Sequence, residues 1–186
     1  MFTYLGFDVS STTIGLCLIE ENKSKFSLKH CDYYKPDKKV NLFESLFKTR
    51  KFVMDKIKEW KPDVVVIEEI AEHITGSGST SKTIVKLATY NRTVGLAAYE
   101  ALQKEPVMIN VNTARSILRP KGYKGRLAKE DVPTVVAAIM KCEFPWKLKK
   151  TGKPFDENYD MADSMAVVLA YGALELAKND KSNVDK

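Results

Sequence analysis

Blocks of apolar residues along the chain predict an α/β protein. Apolar or alternating runs over Phe2–Phe7, Thr13–Ile19 and Lys25–Tyr34 are separated by short polar turns, which indicates three successive antiparallel strands. The continuous β-branched run Val64–Ile67 is typical of a buried parallel strand, and residues 107–111 are predicted to form a fifth strand. We therefore expect an RNase H-like α/β fold: a central mixed five-stranded sheet, three antiparallel strands first and then parallel strands, flanked by helices.

Helical periodicity accounts for most of the remaining chain. Apolar residues recur every three or four positions in four segments, namely Asn41–Trp60, Ser81–Lys104, Glu130–Lys141 and Asn158–Ala177. The second segment carries small residues between Leu87 and Ala101, which allow close packing against a sheet or another helix. We expect one domain over residues 1–177, followed by a disordered tail over residues 178–186.

Composition excludes several classes of protein. The 186 residues contain no run of 18 apolar positions and no signal-peptide layout, so we expect no membrane partner and a cytoplasmic location, with the nucleoid or a viral replication site as alternatives. Three cysteines without a C-x-x-C pair argue against a disulfide framework or structural zinc. The histidines His30 and His73 are isolated, and each is more typical of packing or surface than of a metal ligand.

Two apolar strands end in carboxylates. Asp8 closes the first strand, and Glu68 with Glu69 closes the run of valines. An aspartate is disfavoured in a strand and unfavourable to bury unpaired, so Asp8 requires a cation or hydrogen-bond donors. The alternative is that Asp8 caps the Ser/Thr turn that follows it.

The last helix supplies two further acids. Asp160 and Asp163 are three residues apart and therefore share a face, which continues through apolar positions as far as Leu174 and is predicted to pack on the sheet. First-turn acids that complement the helix dipole are the alternative. Carboxylates that converge repel one another unless divalent cations bind between them, so an oxygen-ligated Mg²⁺ site, with two ions that activate water for phosphodiester cleavage, is predicted for Asp8, Glu68, Asp160 and Asp163.

Basic residues are concentrated in two runs along the sequence, which makes them candidates for DNA binding. The net charge is +6, from 30 basic and 24 acidic residues. The predicted DNA-binding residues are Arg115, Arg119, Lys121, Lys124 and Arg126, together with Lys82 and Lys86 at the start of the second helix. A second basic run lies over residues 147–153. Such runs fit a surface that follows phosphates, although a solvated face is the commoner explanation of a charge run.

Three short motifs occur in the order of a known family. They are Phe7-Asp8 with the returning Gly15-Leu16, then Pro62-Asp63 through Val66-Ile67-Glu68, and finally Asp160-Met161-Ala162-Asp163-Ser164-Met165-Ala166. With this order and spacing, the sequence resembles the RuvC-type Holliday junction resolvases of the RNase H-like (retroviral integrase) superfamily. The resemblance covers residues 3 to 174.

The resemblance implies a homodimeric, Mg²⁺-dependent crossover junction endodeoxyribonuclease, for DNA recombination and repair, that nicks two opposed strands of a four-way junction. It implies that Asp8, Glu68, Asp160 and Asp163 bind the metal, for which Mn²⁺ can substitute. Lys129 matches a family lysine near the scissile phosphate, so it joins the predicted catalytic set. The small-residue helix resembles the family's dimer contact, Glu69 is a neighbour of the site, and any recombination or branch-migration partner is left unidentified.

The sequence departs from the family in two places. Val9-Ser10-Ser11 replaces a Pro-Gly turn, and Ala71 stands where the family often has an aromatic residue that stacks on a junction base. His73 or Tyr123 are candidate substitutes for that aromatic residue. The preferred junction geometry or sequence is therefore expected to differ.

Three other functions remain open from the sequence. A nuclease of the same fold acting on other branched DNA has the same predicted residues. An actin-like or sugar-kinase-like nucleotide-handling protein shares the first-strand Asp and hairpin, but it needs two lobes, and the chain offers no phosphate cradle beyond residues 76–79. A junction-binding scaffold without catalysis has no use for carboxylates beside phosphates.

Overall fold

A computed structural model describes residues 1–70 and 80–184. Its five strands are β1 (Phe2–Val9), β2 (Ile14–Asn22), β3 (Lys25–Tyr34), β4 (Val64–Glu69) and β5 (Val107–Asn110). They form one sheet in the order β3-β2-β1-β4-β5. The pairs β1–β2 and β2–β3 are antiparallel, whereas β1–β4 and β4–β5 are parallel. The mixed five-stranded sheet predicted from the sequence is confirmed.

The helices are α1 (Leu42–Trp60), α2 (Ser81–Leu102), α3 (Val111–Leu118), α4 (Val132–Met140) and α5 (Glu157–Val184). Asn41 caps α1, since its side chain accepts a hydrogen bond from the Glu44 amide, and Thr80 caps α2 in the same way. The sequence pattern does not predict α3, because its second half merges with a basic stretch that begins at Arg115. The last helix is predicted to end near Ala177, whereas α5 continues to Val184. No described helix has the length and apolar character needed to cross a membrane.

The two faces of the sheet carry separate cores. Leu5, Phe7 and Ile67 pack with α1 and α2 on one face. Tyr4 and Val66 pack with α3, α4 and α5 on the other. This division follows from the alternation of side chains along each strand, so that neighbouring residues of β1 and β4 belong to opposite cores.

Helix α5 lies unusually close to the sheet because two strand positions are glycines. A β-carbon at Gly15 would lie 2.1 Å from the backbone oxygen of Asp160, and one at Gly6 would lie 2.3 Å from the backbone oxygen of Ser164. Any larger residue at either position would push the helix away. The two glycines therefore set where the N-terminal part of α5 sits over β1 and β2.

Candidate active site

The parallel register of β1 and β4 places two of the predicted acids side by side. Phe7 is the register partner of Ile67, so the next residues, Asp8 and Glu68, lie on adjacent strands and on the face that packs against α5. The buried Asn91 of α2 donates from its side-chain amide to the Glu68 carbonyl oxygen over 2.7 Å. This bond fixes the end of β4 from the opposite side of the sheet.

Glu69 is directed to the other face. Its carboxylate accepts a hydrogen bond from the Arg92 guanidinium at 2.9 Å, and its Oε1 also accepts from the Ile70 amide. Because adjacent strand residues point in opposite directions, Glu69 belongs with α2, whereas Glu68 belongs with α5. Glu69 is therefore next to Glu68 in sequence but on the opposite face of the sheet, and its place as a neighbour of the site stays a prediction.

The N-terminal part of α5 brings the remaining two acids. Asp163 is only 2% exposed, and the apolar face that follows it is buried at Ala166, Val167 and Ala170. Leu174, which the sequence places on the same face, is 40% exposed, because the helix has passed beyond the main core by that point. The prediction that these acids point inward over the end of the sheet therefore holds for Asp163, while Asp160 is partly exposed.

Two basic side chains pair with the α5 acids. The Arg115 guanidinium contacts both oxygens of Asp163: its Nη2 donates to Oδ2 at 2.7 Å and to Oδ1 at 2.9 Å, and its Nε donates to Oδ1 at 3.2 Å. The Lys129 ammonium lies 2.9 Å from Asp160 Oδ1 and 3.9 Å from Asp163 Oδ2. The sequence analysis placed Arg115 on the DNA-binding surface, and the structure places it within the acidic cluster.

Burial raises the pKa values of Asp8, Glu68 and Asp163 above the ordinary range of a carboxyl group. Burial is the largest cause of the raised pKa of Asp8, and the charges of Glu68 and Asp163 add to it. Burial, together with the charge of Asp163, raises the pKa of Glu68 to about 7. The pKa of Asp163 is also raised by burial, despite the opposing effect of Arg115. Among the described residues, four acids thus share one site with two protein cations.

The donor set suits a hard divalent cation. Carboxylate oxygens are the ligands that Mg²⁺ prefers, and burial disfavours the charged forms of Asp8 and Glu68 unless a cation joins them. With the side chains as they stand in residues 1–70 and 80–178, no three acids, histidines or cysteines surround one point closely enough to hold an ion. Both oxygens of Asp163 face Arg115 instead.

The turn after β1 is closed by Ser10. Its side-chain oxygen accepts hydrogen bonds from the Thr13 amide at 2.9 Å and the Thr12 amide at 3.2 Å, and its amide donates to the Thr13 carbonyl. The alternative role of Asp8 as the cap of this turn is therefore filled by another residue. Asp8 remains available to the cluster.

An open cleft of about 630 Å³ leads away from the cluster. Lys129 and Asp160 form part of its wall, and Lys35, Lys38 and Tyr159 lie along it. Lys38 is exposed, while Lys35 pairs with Glu157 at 2.5 Å. The sequence analysis did not single out these two lysines, because they are brought to the site by the end of β3 and not by a charge run.

The predicted DNA-binding residues fall into two groups. Arg119, Lys121, Lys124 and Arg126 are exposed on the loop between α3 and the turn before α4; we call residues 119–128 the basic loop. Arg119 donates to the Gly125 carbonyl and Arg126 contacts the Asn112 side chain. Because Arg115 precedes this loop and Lys129 follows it, the basic loop is anchored to the acidic cluster at both ends. Lys82 and Lys86 are exposed on the first turns of α2, where Lys86 lines a small pocket with Asp37 and Lys38.

Of the two candidate substitutes for the missing aromatic residue, the structure describes Tyr123 but not His73. Tyr123 lies in the basic loop, where its hydroxyl donates to Asp131 at 2.6 Å. Ala71 and His73 lie outside the described residues. The other histidine, His30, stacks on Trp60 with ring centroids 5.1 Å apart, in agreement with a packing role.

In the second basic run, over residues 147–153, Lys147 pairs with Asp32 and lies over the Tyr33 ring at 4.8 Å. Lys149 lies over the Phe155 ring at 5.7 Å. Lys150 and Lys153 are exposed. Half of this run therefore packs on the protein, so Lys150 and Lys153 are the members most open to a phosphate.

Comparison with known proteins yields matches in structure alone. No family model matches the sequence, and no curated protein matches it significantly. Thermus thermophilus RuvC in complex with a Holliday junction substrate superimposes with a TM-score of 0.67 at 20% identity, covering 91% of this chain and 92% of that one. The yeast mitochondrial Holliday junction resolvase gives 0.64 at 15% identity, covering 91% and 77%. The fowlpox virus resolvase, with Holliday junction DNA, gives 0.50 at 14%, covering 94% and 99%. The chain therefore has the RuvC fold.

Proposed function

We propose that this chain, which has the RuvC fold over more than nine-tenths of its length, is a divalent-metal-dependent endonuclease that resolves four-way DNA junctions by paired nicks. The observation that carries the proposal is the meeting of four carboxylates from β1, β4 and α5 in a cluster where, among the described residues, two protein cations pair with them. The structural neighbours that are Holliday junction resolvases support the choice of DNA junctions as the substrate.

The four acids would hold the metal. Asp8 and Glu68 contribute from the strand ends, and Asp160 and Asp163 contribute from α5. Mg²⁺ or Mn²⁺, two ions per site, held by these four acids would supply an activated water and charge stabilisation of the leaving oxygen. The protein's own contribution is to keep these acids close together, partly shielded from water, on rigid elements.

Lys129 is suited to meet the substrate phosphate. Its side chain is 42% exposed at the cleft, while its ammonium touches Asp160. Burial lowers its pKa, but the nearby carboxylates of Asp160 and Asp8 outweigh burial and raise it, so the ammonium stays charged. A fixed positive charge at this place can stabilise the negative charge that develops on the phosphate during cleavage.

The basic loop and the cleft offer a path for DNA on either side of the cluster. The loop residues Arg119, Lys121, Lys124 and Arg126 are exposed and unite four positive charges within eight residues. Contacts of this kind bind phosphates without reading sequence, and they make affinity depend steeply on salt. Alanine at Lys121, Lys124 and Arg126 together should lower junction affinity and flatten its salt dependence.

A homodimer fits the need for two opposed nicks, because each protomer has one acidic cluster. The outer face of α2 exposes Val85, Leu96 and Tyr99, and the neighbouring α1 exposes Phe43 and Phe47 at 81% and 63%. Ala97 and Ala98 are buried together with Tyr90 and Val94, so the small residues of α2 lie on its inward face, opposite the exposed Val85, Leu96 and Tyr99. Five exposed apolar side chains on two packed helices form a surface suited to a second copy of the chain.

The decisive experiment compares cleavage of a synthetic four-way junction with that of a linear duplex of the same sequence, with Mg²⁺ and with chelator. We expect paired, metal-dependent nicks in the junction alone. Asp8→Asn should abolish nicking while it keeps or tightens binding, since it removes a negative charge near DNA. Asp156→Asn, at a cleft acid outside the cluster, is the matched control and should still cut. Cutting of both DNAs would support a nuclease but contradict a preference for junctions. Cutting by Asp8→Asn would refute the assignment of the active site.

A further inference from the structure

We propose that Arg115 is a built-in counter-ion that competes with the divalent metal for Asp163; this inference rests on the proposed metal-binding role of the cluster. The guanidinium makes three hydrogen bonds of 2.7 to 3.2 Å to the two Asp163 oxygens. Such a two-point pairing is stronger and more directional than a lysine contact. Both oxygens that a metal would need are therefore already occupied by a protein cation.

Burial makes this pair essential to the metal-free protein. The Arg115 side chain is 11% exposed and the Asp163 side chain 3% exposed. Removing one partner from a buried ion pair leaves an uncompensated charge and is strongly destabilising. Arg115 thus supplies the buried positive charge that faces Asp163 in the metal-free protein.

The same contact opposes metal binding. A divalent cation at Asp163 has to share its oxygens with the guanidinium, or to displace it, and in either case two positive charges meet in a site with little water to screen them. Lys129 is a weaker competitor, because its ammonium is half-exposed and 3.9 Å from Asp163 Oδ2. Arg115 consequently sets the metal concentration at which the site fills.

The position of Arg115 suits this role. It is the fifth residue of α3, a helix that begins directly after β5 and packs along α5, so its side chain reaches Asp163 from a rigid element. Arg119, the first residue after α3, is exposed, and its one side-chain hydrogen bond among the described residues is to the Gly125 carbonyl. Arg119 is therefore a matched control for Arg115, because it carries the same charge in an exposed position next to the same helix.

The test measures Mn²⁺ affinity by calorimetry without DNA, together with the melting temperature in chelator. Arg115→Met removes the charge but keeps a long side chain, and Arg115→Lys keeps the charge but removes the two-point contact. We expect Arg115→Met to melt lower in chelator and to bind Mn²⁺ at least about tenfold more tightly than the wild type, with Arg115→Lys between them. Arg119→Met, which loses the same charge, should bind Mn²⁺ within about twofold of the wild type.

A measurement on the wild-type protein covers the case in which Arg115→Met does not fold. The Nε–H resonance of Arg115, assigned from its loss in Arg115→Lys, should shift and exchange faster with water as diamagnetic Mg²⁺ fills the site. Unchanged Mn²⁺ affinity in the Arg115 variants, weaker affinity, or an unmoved resonance at saturating Mg²⁺ would each overturn the counter-ion role while the nuclease proposal stands. A wild-type protein that binds no divalent metal would overturn both.

Discussion

The two faces of the central sheet differ in what they expose and what they enclose. The face covered by α5 encloses charged groups. Asp8 and Glu68 of the strands lie close to Asp163 of α5, which pairs with Arg115. The face covered by α1 and α2 encloses apolar residues together with the neutral polar side chains of Ser45, Thr49 and Asn91, and its helices expose large apolar side chains on their far side. One face thus holds the candidate chemistry and the other a candidate interface.

This division originates in single-residue alternation along the strands. Glu68 and Glu69 are neighbours in sequence and have the same side chain, yet one belongs to the acidic cluster and the other pairs with Arg92 on the outer face of α2. A shift of one residue in the register of β4 would exchange their positions. The register of β1 and β4 is therefore what defines the site.

The largest expected effect on activity comes from substituting Glu68 and Glu69 one at a time. Glu68→Gln should lower the rate of junction nicking by about a thousandfold or more, because it removes a charged ligand from the cluster. Glu69→Gln, the identical change on the opposite face, should stay within about threefold of the wild type. Single-turnover cleavage of a labelled junction measures both. Equal losses in the two variants would mean that the faces do not divide the chemistry as we describe.

A second prediction concerns how closely each face is packed. Gly15→Ala puts a β-carbon 2.1 Å from the Asp160 oxygen, so α5 must shift, and we expect a loss of roughly 3 kcal/mol or more in the free energy of unfolding together with loss of nicking. Gly95→Ala, in α2, meets nothing closer than the Ile67 Cδ1 atom at 4.0 Å. It should be neutral or stabilise by up to about 1 kcal/mol, because alanine favours a helix.

Urea unfolding and the cleavage assay measure both glycine variants. The comparison is informative because the same methyl group is added on each face. A Gly15→Ala protein with wild-type stability and activity would show that α5 is not held at the distance that the two glycines permit.

Much of the site follows from the sequence because it depends on local rules. Strands that end in acids place Asp8 and Glu68 at one edge of a parallel pair, and a three-residue spacing places Asp160 and Asp163 on one helix face. The fold could be predicted from the sequence as well, because each strand has a clear apolar pattern. The three motifs also occur in the order typical of the family.

The role of Arg115 could not be predicted in the same way. Its contact with Asp163 joins residues 48 positions apart and depends on how α3 packs against α5. Helix α3 has only eight residues, two of them buried, so its apolar pattern is too short to stand out beside the basic residues that follow. A charge run in sequence does not distinguish a buried counter-ion from an exposed phosphate contact, and only the packing separates Arg115 from Arg119.

A third prediction tests the outer face as an interface. Leu96 on α2 and Leu148 on the α5 side of the molecule are both 55% exposed, so Leu→Glu at each makes the same change from a similar starting exposure. If the outer face of α2 binds a second copy, Leu96→Glu should weaken the dimer about a hundredfold, or roughly 3 kcal/mol, through lost burial and like-charge repulsion. Leu148→Glu should have no effect. Analytical sedimentation measures the dimer affinity of both variants. A wild-type protein that is monomeric would refute the proposed interface.

The smallest effect is a pH dependence that belongs to the charged face alone. The pKa of Glu68 rises from 4.5 to about 7 on folding, so the folded protein holds a proton that the unfolded chain has lost. Its stabilising contribution is full below the unfolded pKa and disappears as pH rises through about 7. In chelator, the free energy of unfolding should therefore fall by on the order of 2 kcal/mol between about pH 5 and about pH 8. Mg²⁺ or Glu68→Gln should reduce this slope, whereas Glu69→Gln should leave it unchanged, because Arg92 pairs with Glu69 outside the cluster. A slope that survives Glu68→Gln in full would assign the titration to another group.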